Sequence, residues 1–334
     1  MGESPWKFES SRPHQSVLIS SPLKGFSPAI IGELANGLIR VIAVRTTTLP
    51  GRKAGAARNT AYERGSMDLE LKGRRALVTG SSSGIGEAIA HMLGEEGALV
   101  VVHGRNRERA ERVAAAIGAA GVAIGDLSGE VAADAVHAEA CAALGGTIEI
   151  LINNAGGNAR GNTSKAPAEI DPDDFIANYR ANMLGAVRLC QLSVPAMVAA
   201  KFGRIVNVSS AVAMQPNNMG VDYSAAKAAL ANYTVSLAGS LKGVNVTANV
   251  LTPGIIMVDG LLRFGRERFG DPEMSFQAVA ENFAAQKVFD LPPAGRVGTP
   301  RELAMVACLL ASPLSGYITG ANYRVDGGQV RGLN

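Results

Sequence analysis

One run, RALVTGSSSGIGEAIAHMLGEEG at residues 75–97, constrains the fold of this chain more than any other. It opens with a short β-rich stretch, passes through a glycine turn, and continues with Ile89, Met92 and Leu93 at helical spacing. Gly80, Gly84 and Gly86 let the backbone turn tightly and let a diphosphate approach the N-terminus of the following helix. The spacing is Gly-x3-Gly-x-Gly, distinct from the Gly-x-Gly-x2-Gly of the commoner dinucleotide fingerprint. A continuous apolar run, ALVVVHG, follows and completes a β-α-β unit whose strands read as buried on both faces.

The unit then recurs. GVAIGD, IEILINNAG, GRIVNVSS, NVTANVLTPG and ITGANYRVDGG are strand-like, with Ala-rich helical stretches between them. Such alternation predicts an α/β fold: a doubly wound parallel sheet in a single domain over 67–334, with helices on both faces. Ligands on such sheets bind at the carboxyl ends of the strands, where the polar and glycine residues of this chain collect.

Composition narrows the field. With 47% hydrophobic and 18% charged residues the chain can bury a large core. Residues 1–66 carry nine basic and four acidic residues, leaving 23 basic and 25 acidic in the remainder. A slightly acidic body without basic runs argues against nucleic acid as the main partner. The first 66 residues are rich in Ser, Pro and Arg and lack a sustained period, so they read as a disordered tail or an over-extension of the reading frame. Their apolar part, AIIGELANGLIRVIAV, is too short and too charged to span a bilayer and too far from the N-terminus for a secretory signal. An organelle transit peptide stays open. Cys141, Cys190 and Cys308 are scattered among apolar neighbours, which fits reduced thiols and a cytoplasmic setting. The four histidines show no metal-ligand spacing, so no metal is expected.

Tyr223 and Lys227, in YSAAK, share one face of a helix at i and i+4. A nearby ammonium stabilises phenolate and draws a tyrosine towards the working range of a general acid–base. With the further motifs GDL at 125–127, NNAG at 153–156, Asn182 in YRANMLG, Ser210 in IVNVSSA, PG at 253–254 and DGG at 326–328, the chain resembles the short-chain dehydrogenase/reductase family over about residues 70–330. The resemblance is to its Tyr-x3-Lys, 3-oxoacyl-carrier-protein-reductase-like members. It implies an enzyme transferring a hydride between a nicotinamide and a carbonyl or secondary alcohol. In it Asn182, Ser210, Tyr223 and Lys227 would be catalytic. Tyr223 would move the proton, Ser210 would hold the substrate oxygen, Lys227 would also hold the nicotinamide ribose, and Asn182 would hold a water beside the lysine. A non-catalytic dinucleotide sensor on the same fold is the other reading, although such proteins usually lose members of this group of four.

The resemblance further implies cofactor contacts at Gly80, Ser82, Ser83, Gly84, Ile85, Gly86, Arg105, Asp126, Leu127, Asn154, Ala155, Gly156, Tyr223, Lys227, Pro253, Gly254 and Ile256. Gly104 stands where NAD-binding relatives carry an acid, and Arg105 follows it, so NADP(H) is expected to be preferred over NAD(H). Arg107 and Arg109 either assist or form a solvated charge run. Asp126 suits either an adenine contact or a helix N-cap. Where relatives often place a threonine to bind the nicotinamide amide, this chain has Val258, which shifts that contact to backbone around Ile256. Residues 254–295 are expected to form a helical lid whose phenylalanines either line an apolar pocket or pack the lid on itself. The substrate is a small-molecule carbonyl or alcohol, or an acyl group on acyl carrier protein docking near Lys201 and Lys242. A homo-oligomer, dimer or tetramer, and no membrane partner are expected.

Overall fold

The computed structural model describes residues 68–129, 131–159, 165–218 and 220–332. The extension expected over 1–66 lies outside the described residues.

Seven strands form one sheet: β1 (Arg75–Val78), β2 (Leu99–Gly104), β3 (Gly121–Ile124), β4 (Ile150–Asn153), β5 (Gly203–Val208), β6 (Val246–Pro253) and β7 (Asn322–Val325). Each coincides with a strand-like run in the sequence. The spatial order is β3-β2-β1-β4-β5-β6-β7, and every pairing is parallel. The order reverses between β1 and β4, which opens a crevice at their carboxyl ends.

Alternation along the strands divides the core. Ala76 and Val78 of β1 face helices α1 (Gly84–Glu95) and α10 (Pro300–Ala311), where Ile89, Leu93, Leu303 and Cys308 close the layer. Leu77, Val101 and Leu151 point the other way, onto α3 (Ala132–Ala143) and α5 (Gly185–Ala200), against Val136, Leu189 and Met197. Full burial of each Leu, Ile, Val or Met side chain here stabilises the fold by about 1.5–3 kcal/mol. A small third cluster seats α2 (Arg107–Ile117) on β2 through Ala110 and Val113.

Two further regions shape the crevice. A long helical stretch runs from α4 (Pro172–Tyr179) through a π-helical turn (Arg180–Leu184) into α5. It packs against α7 (Val221–Ser240), which follows the short α6 (Ala211–Met214). The segment expected to form a lid consists of α8 (Asp259–Phe269) and α9 (Phe276–Ala285), with an apolar cluster of its own. Phe283 is its hub, with Phe264 stacked at 5.9 Å, Phe269 edge-on at 5.2 Å and Phe289 tilted at 5.7 Å. Of the two sequence readings of these aromatics, packing of the lid on itself describes this geometry.

Candidate active site

The glycine turn is built by exclusion. Gly80 has φ +66°, and a Cβ there would lie 2.9 Å from the Ala155 Cα. A Cβ at Gly86 would collide with the Gly80 carbonyl oxygen and come to 2.5 Å from the Asn154 Nδ2. The turn and the loop after β4 can therefore touch only because these positions lack side chains. Ser83 caps α1 without a side-chain hydrogen bond, so it leaves first-turn N–H groups of the helix to whatever enters the crevice.

Side chains far apart in sequence hold this contact in place. The Thr79 hydroxyl accepts from the Asn154 and Ala155 N–H groups at 2.9 and 3.0 Å. Asn154 Nδ2 donates back to the Thr79 and Gly80 carbonyls at 3.0 and 3.3 Å. His103, inside the apolar run of β2, is buried. Its Nδ1 accepts from Gly80 N–H at 3.0 Å, and its Nε2 lies 3.2 Å from the Gly125 carbonyl. Both contacts are satisfied by a neutral ring with its proton on Nε2. Burial lowers its pKa to about 4, which keeps it neutral. His103 thus ties together the ends of three strands. The metal-spacing test applied to the sequence passed over this role, although a polar residue within a strand buried on both faces signals a hydrogen-bond partner.

A cavity of about 570 Å³ fills the crevice, lined by Gly80, Ser82, Ser83, Gly84 and Ile85 on one side and Tyr223, Lys227, Pro253 and Val258 on another. A second, of about 300 Å³, continues past Ser82 to Arg105, Asp126 and Leu127. Asn154 lines the first, Ala155 the second and Gly156 both. Gly254 and Ile256 line neither. Gly254 packs against Asp326, where a Cβ would come within 2.7 Å of the Asp326 Cα, and the Ile256 side chain is buried in the α10 core layer. Val258 N–H also occupies the Ile256 carbonyl at 3.0 Å.

At the end of β2, a Cβ on Gly104 would lie 2.6 Å from the Ser82 Oγ and 2.8 Å from its Cβ. Arg105 is exposed and reaches Asp126 at 3.6 Å. Asp126 is not the cap of α3, which begins at Ala132. It accepts from Ser128 N–H at 3.0 Å and from its hydroxyl at 2.7 Å, and these bonds hold its carboxyl below the ordinary range. The arginines of α2 divide: Arg107 pairs with Glu111 on the surface, Arg112 with Glu87, and Arg109 lines the larger cavity.

The four residues expected to be catalytic come together at the carboxyl ends of β4 and β5. Asn182 sits in the π-helical turn, buried, and its Oδ1 accepts from Gly157 N–H at 2.9 Å. A Cβ at Gly156 would lie 2.5 Å from that oxygen and 3.1 Å from the Lys227 Nζ, so Asn182 and Lys227 converge there. Lys227 donates to the Val208 carbonyl at 2.8 Å, and burial lowers its pKa to about 8. Ser209, which the sequence reading did not single out, donates to the Lys227 carbonyl at 3.0 Å. Ser210 stands at the N-cap position of α6, on the Tyr223 side of the site. The Tyr223 phenol is held above its ordinary pKa by burial, and the neighbouring Ser210 hydroxyl works in the opposite direction. The Lys227 ammonium, 5.9 Å from the ring centroid, does not offset that burial. The acidification of Tyr223 by Lys227 expected from the sequence is outweighed by burial in this geometry.

The loop after α6 is tied to the C-terminal segment. Gln215 Oε1 accepts from Arg331 N–H at 2.8 Å, and Met214 Sδ lies 3.0 Å from Asn322 Nδ2.

The family model described as short chain dehydrogenase matches residues 74–264. The chain is 36% identical over 268 residues to a 3-oxoacyl-(acyl-carrier-protein) reductase of Aquifex aeolicus, covering 78% of this chain and 99% of that protein. It is 32% identical to an uncharacterised oxidoreductase of Bacillus subtilis, covering 80% and 100%. Among solved structures, L-sorbose reductase of Gluconobacter frateurii, complexed with NADPH and L-sorbose, superposes with a TM-score of 0.71 at 30% identity, covering 80% of this chain and 100% of that one. A 3-oxoacyl (acyl-carrier-protein) reductase of Agrobacterium tumefaciens with NADP bound gives 0.68 at 33%, covering 78% and 96%.

Proposed function

The chain belongs to the short-chain dehydrogenase family and is an NAD(P)-dependent oxidoreductase, and from that premise we propose that it uses NADP(H) to interconvert a carbonyl compound and a secondary alcohol, with Tyr223 as general acid–base. One observation carries the reading: Tyr223 and Lys227 stand on one face of α7 at the mouth of the sheet, in the same cavity as the glycine turn. The residues fit a dinucleotide, because the glycine turn, Ser82 and Ser83 line a cavity beside the N-terminus of α1, which has no side-chain cap. A bound nicotinamide supplies or accepts the hydride. The α1 N-terminus and Ser82, Ser83 and Ile85 would hold its diphosphate, and Asp126 and Leu127 its adenosine end. Pro253 and Val258 would wall its nicotinamide end. Lys227 would exchange the Val208 carbonyl for the ribose hydroxyls. The phenol of Tyr223 would donate its proton to the forming alkoxide, with Ser210 donating to the same oxygen.

The preference for NADP(H) rests on Gly104 and Arg105. A carboxylate cannot stand at 104 while Ser82 fills the space above it, and Arg105 offers a planar donor head to a 2′-phosphate. Its pairing with Asp126 is exposed and long, worth about 0–1 kcal/mol, so a phosphate would displace it readily. Arg109, lining the cavity, is placed to assist. Two relatives solved with NADPH or NADP support this direction.

For an acyl carrier protein, the position of the two lysines sets a distance that the acyl-bearing arm must span. Lys201 and Lys242 stand just before β5 and β6, at the amino end of the sheet, while the cavity opens at the carboxyl end. Six residues of β5 separate the two ends by roughly 20 Å. A homo-oligomer is supported by exposed Ile176, Leu184 and Val235 on the long helices. The test is a screen of ketones, sugars and acyl thioesters for NADPH oxidation with Tyr223→Phe as the blank, followed by catalytic efficiency with NADPH against NADH. Turnover undiminished in the blank overturns the acid–base role, and a preference for NADH overturns the cofactor assignment.

A further inference from the structure

Behind Asn182 lies a second asparagine, Asn178, one helical turn earlier and fully buried. Its amide is a junction of three elements. Asn178 Oδ1 accepts from Ala159 N–H, in the loop after β4, at 3.1 Å and from Asn182 Nδ2 at 3.3 Å. Asn178 Nδ2 donates to the Asp174 carbonyl at 3.3 Å and to Asp222 Oδ2 at 2.7 Å. Asp222 is also fully buried, and its Oδ1 accepts from the N–H of Tyr223 at 2.9 Å. Among the described residues no ion pair is formed by this carboxylate. Its charge is met by the Asn178 amide and by the N-terminal end of α7.

A buried carboxylate with an amide for its partner is costly, and an apolar pair of the same shape would pack here at less cost. What the pair supplies is orientation. We infer that Asn178 and Asp222 are positioning residues that fix Asn182 and Tyr223 relative to each other, in a site otherwise assembled from two separate helices. This rests on the acid–base role proposed for Tyr223. Neither residue touches the cavity. They act by holding the amide of Asn182 in one orientation and the first turn of α7 in one register.

The near-isosteric exchange of Asn and Asp tests this without changing volume. Asn178→Asp sets two carboxylates against each other, and they cannot both ionise at that distance. Its kcat should fall about 100-fold at pH 8, the scale on which displacing a catalytic group by about 1 Å acts. KM and the dissociation constant for NADPH, read by fluorescence titration, should stay within about threefold. As pH falls, one of the two carboxyls regains a proton and donates as the amide did, so activity of this variant should recover on the acid side. Among the described residues, the other titratable groups near the pair are Asp174 with its partner Lys165, together with Tyr223 and Lys227 on α7. All four are present in every variant. The double variant Asn178→Asp/Asp222→Asn reverses donor and acceptor and should restore kcat to within about fivefold of wild type and remove the acid-side recovery. Wild-type kcat in Asn178→Asp overturns the inference, as does a double variant no better than the single. If the single variant does not fold, a double variant that folds and turns over carries the inference, and one that also fails to fold overturns it. Full turnover in Tyr223→Phe would remove the acid–base reading, and this inference with it, by a separate measurement.

Discussion

The glycine-turn half of the crevice and the lid opposite it are held together by different means. Around Gly80 and Gly86 the contact is backbone on backbone, secured by Thr79, Asn154 and His103 through hydrogen bonds that span most of the first half of the domain. The lid is held by side-chain packing on Phe283, and this cluster is separate from the two large core layers. It joins the sheet region through the Ile256–Gly298 bridge and the backbone bonds beside it. A close-packed backbone site tolerates no added atom, whereas an apolar cluster tolerates exchange of one hydrophobe for another of similar size. The fold therefore sets a backbone contact that admits no added atom beside a side-chain cluster that tolerates exchange, although Asp259, Gly260 and Arg263 of α8 line the same cavity as the turn.

The comparison breaks most easily at the turn. Gly86→Ala should abolish NADPH binding by calorimetry, because even one methyl meets the Gly80 carbonyl; measurable affinity would mean the turn yields more than its contacts allow. Tyr223→Phe should cost about 10²–10⁴-fold in kcat with unchanged cofactor affinity. In the lid, Phe283→Ala removes the hub of its cluster, at a local cost of about 3–5 kcal/mol. Limited proteolysis should then cut within 259–289 and KM should rise, while NADPH affinity stays within about twofold. Loss of cofactor binding in that variant would show that the two halves are not separable.

Smaller effects concern charge. His103 has a pKa of about 4 in the fold against 6.5 ordinarily, so on acidification the unfolded chain takes up its proton first. Its contribution is whole above pH 6.5 and is lost as pH falls towards 4, at about 1.4 kcal/mol per pH unit at most. His103→Gln should flatten that part of the pH dependence of urea unfolding. Lys227, lowered to about 8, loses its proton in the fold first as pH rises. NADPH affinity should weaken through pH 8, while stability gains from this group between pH 8 and 10.5; affinity flat across that range would remove the ribose contact assigned to it.

Much of the cofactor half was legible in the sequence because local rules write it. Each strand is a short apolar run, and the turn needs glycines in a fixed spacing. Of the four residues proposed as catalytic, Tyr223 and Lys227 were legible as an i, i+4 pair, and Ser210 and Asn182 only through the resemblance, since either alone looks like an ordinary polar residue. His103, Asn178 and Asp222 were not read as functional. Their roles depend on partners 22 to 44 residues away, brought near by topology that no local period encodes. The π-helical turn carrying Asn182 has no sequence mark that separates it from the helix on either side. Within the lid the sequence supplied the aromatics and left their direction open, and packing decided it.

The crowding of Ser82 against Gly104 has an evolutionary consequence. A lineage changing its redox currency by a single substitution, an aspartate at 104, would first meet a steric collision and gain nothing from the new carboxylate. The serine must recede beforehand or in the same step, so the two positions are expected to covary among descendants, and the order in which they change decides which intermediates survive.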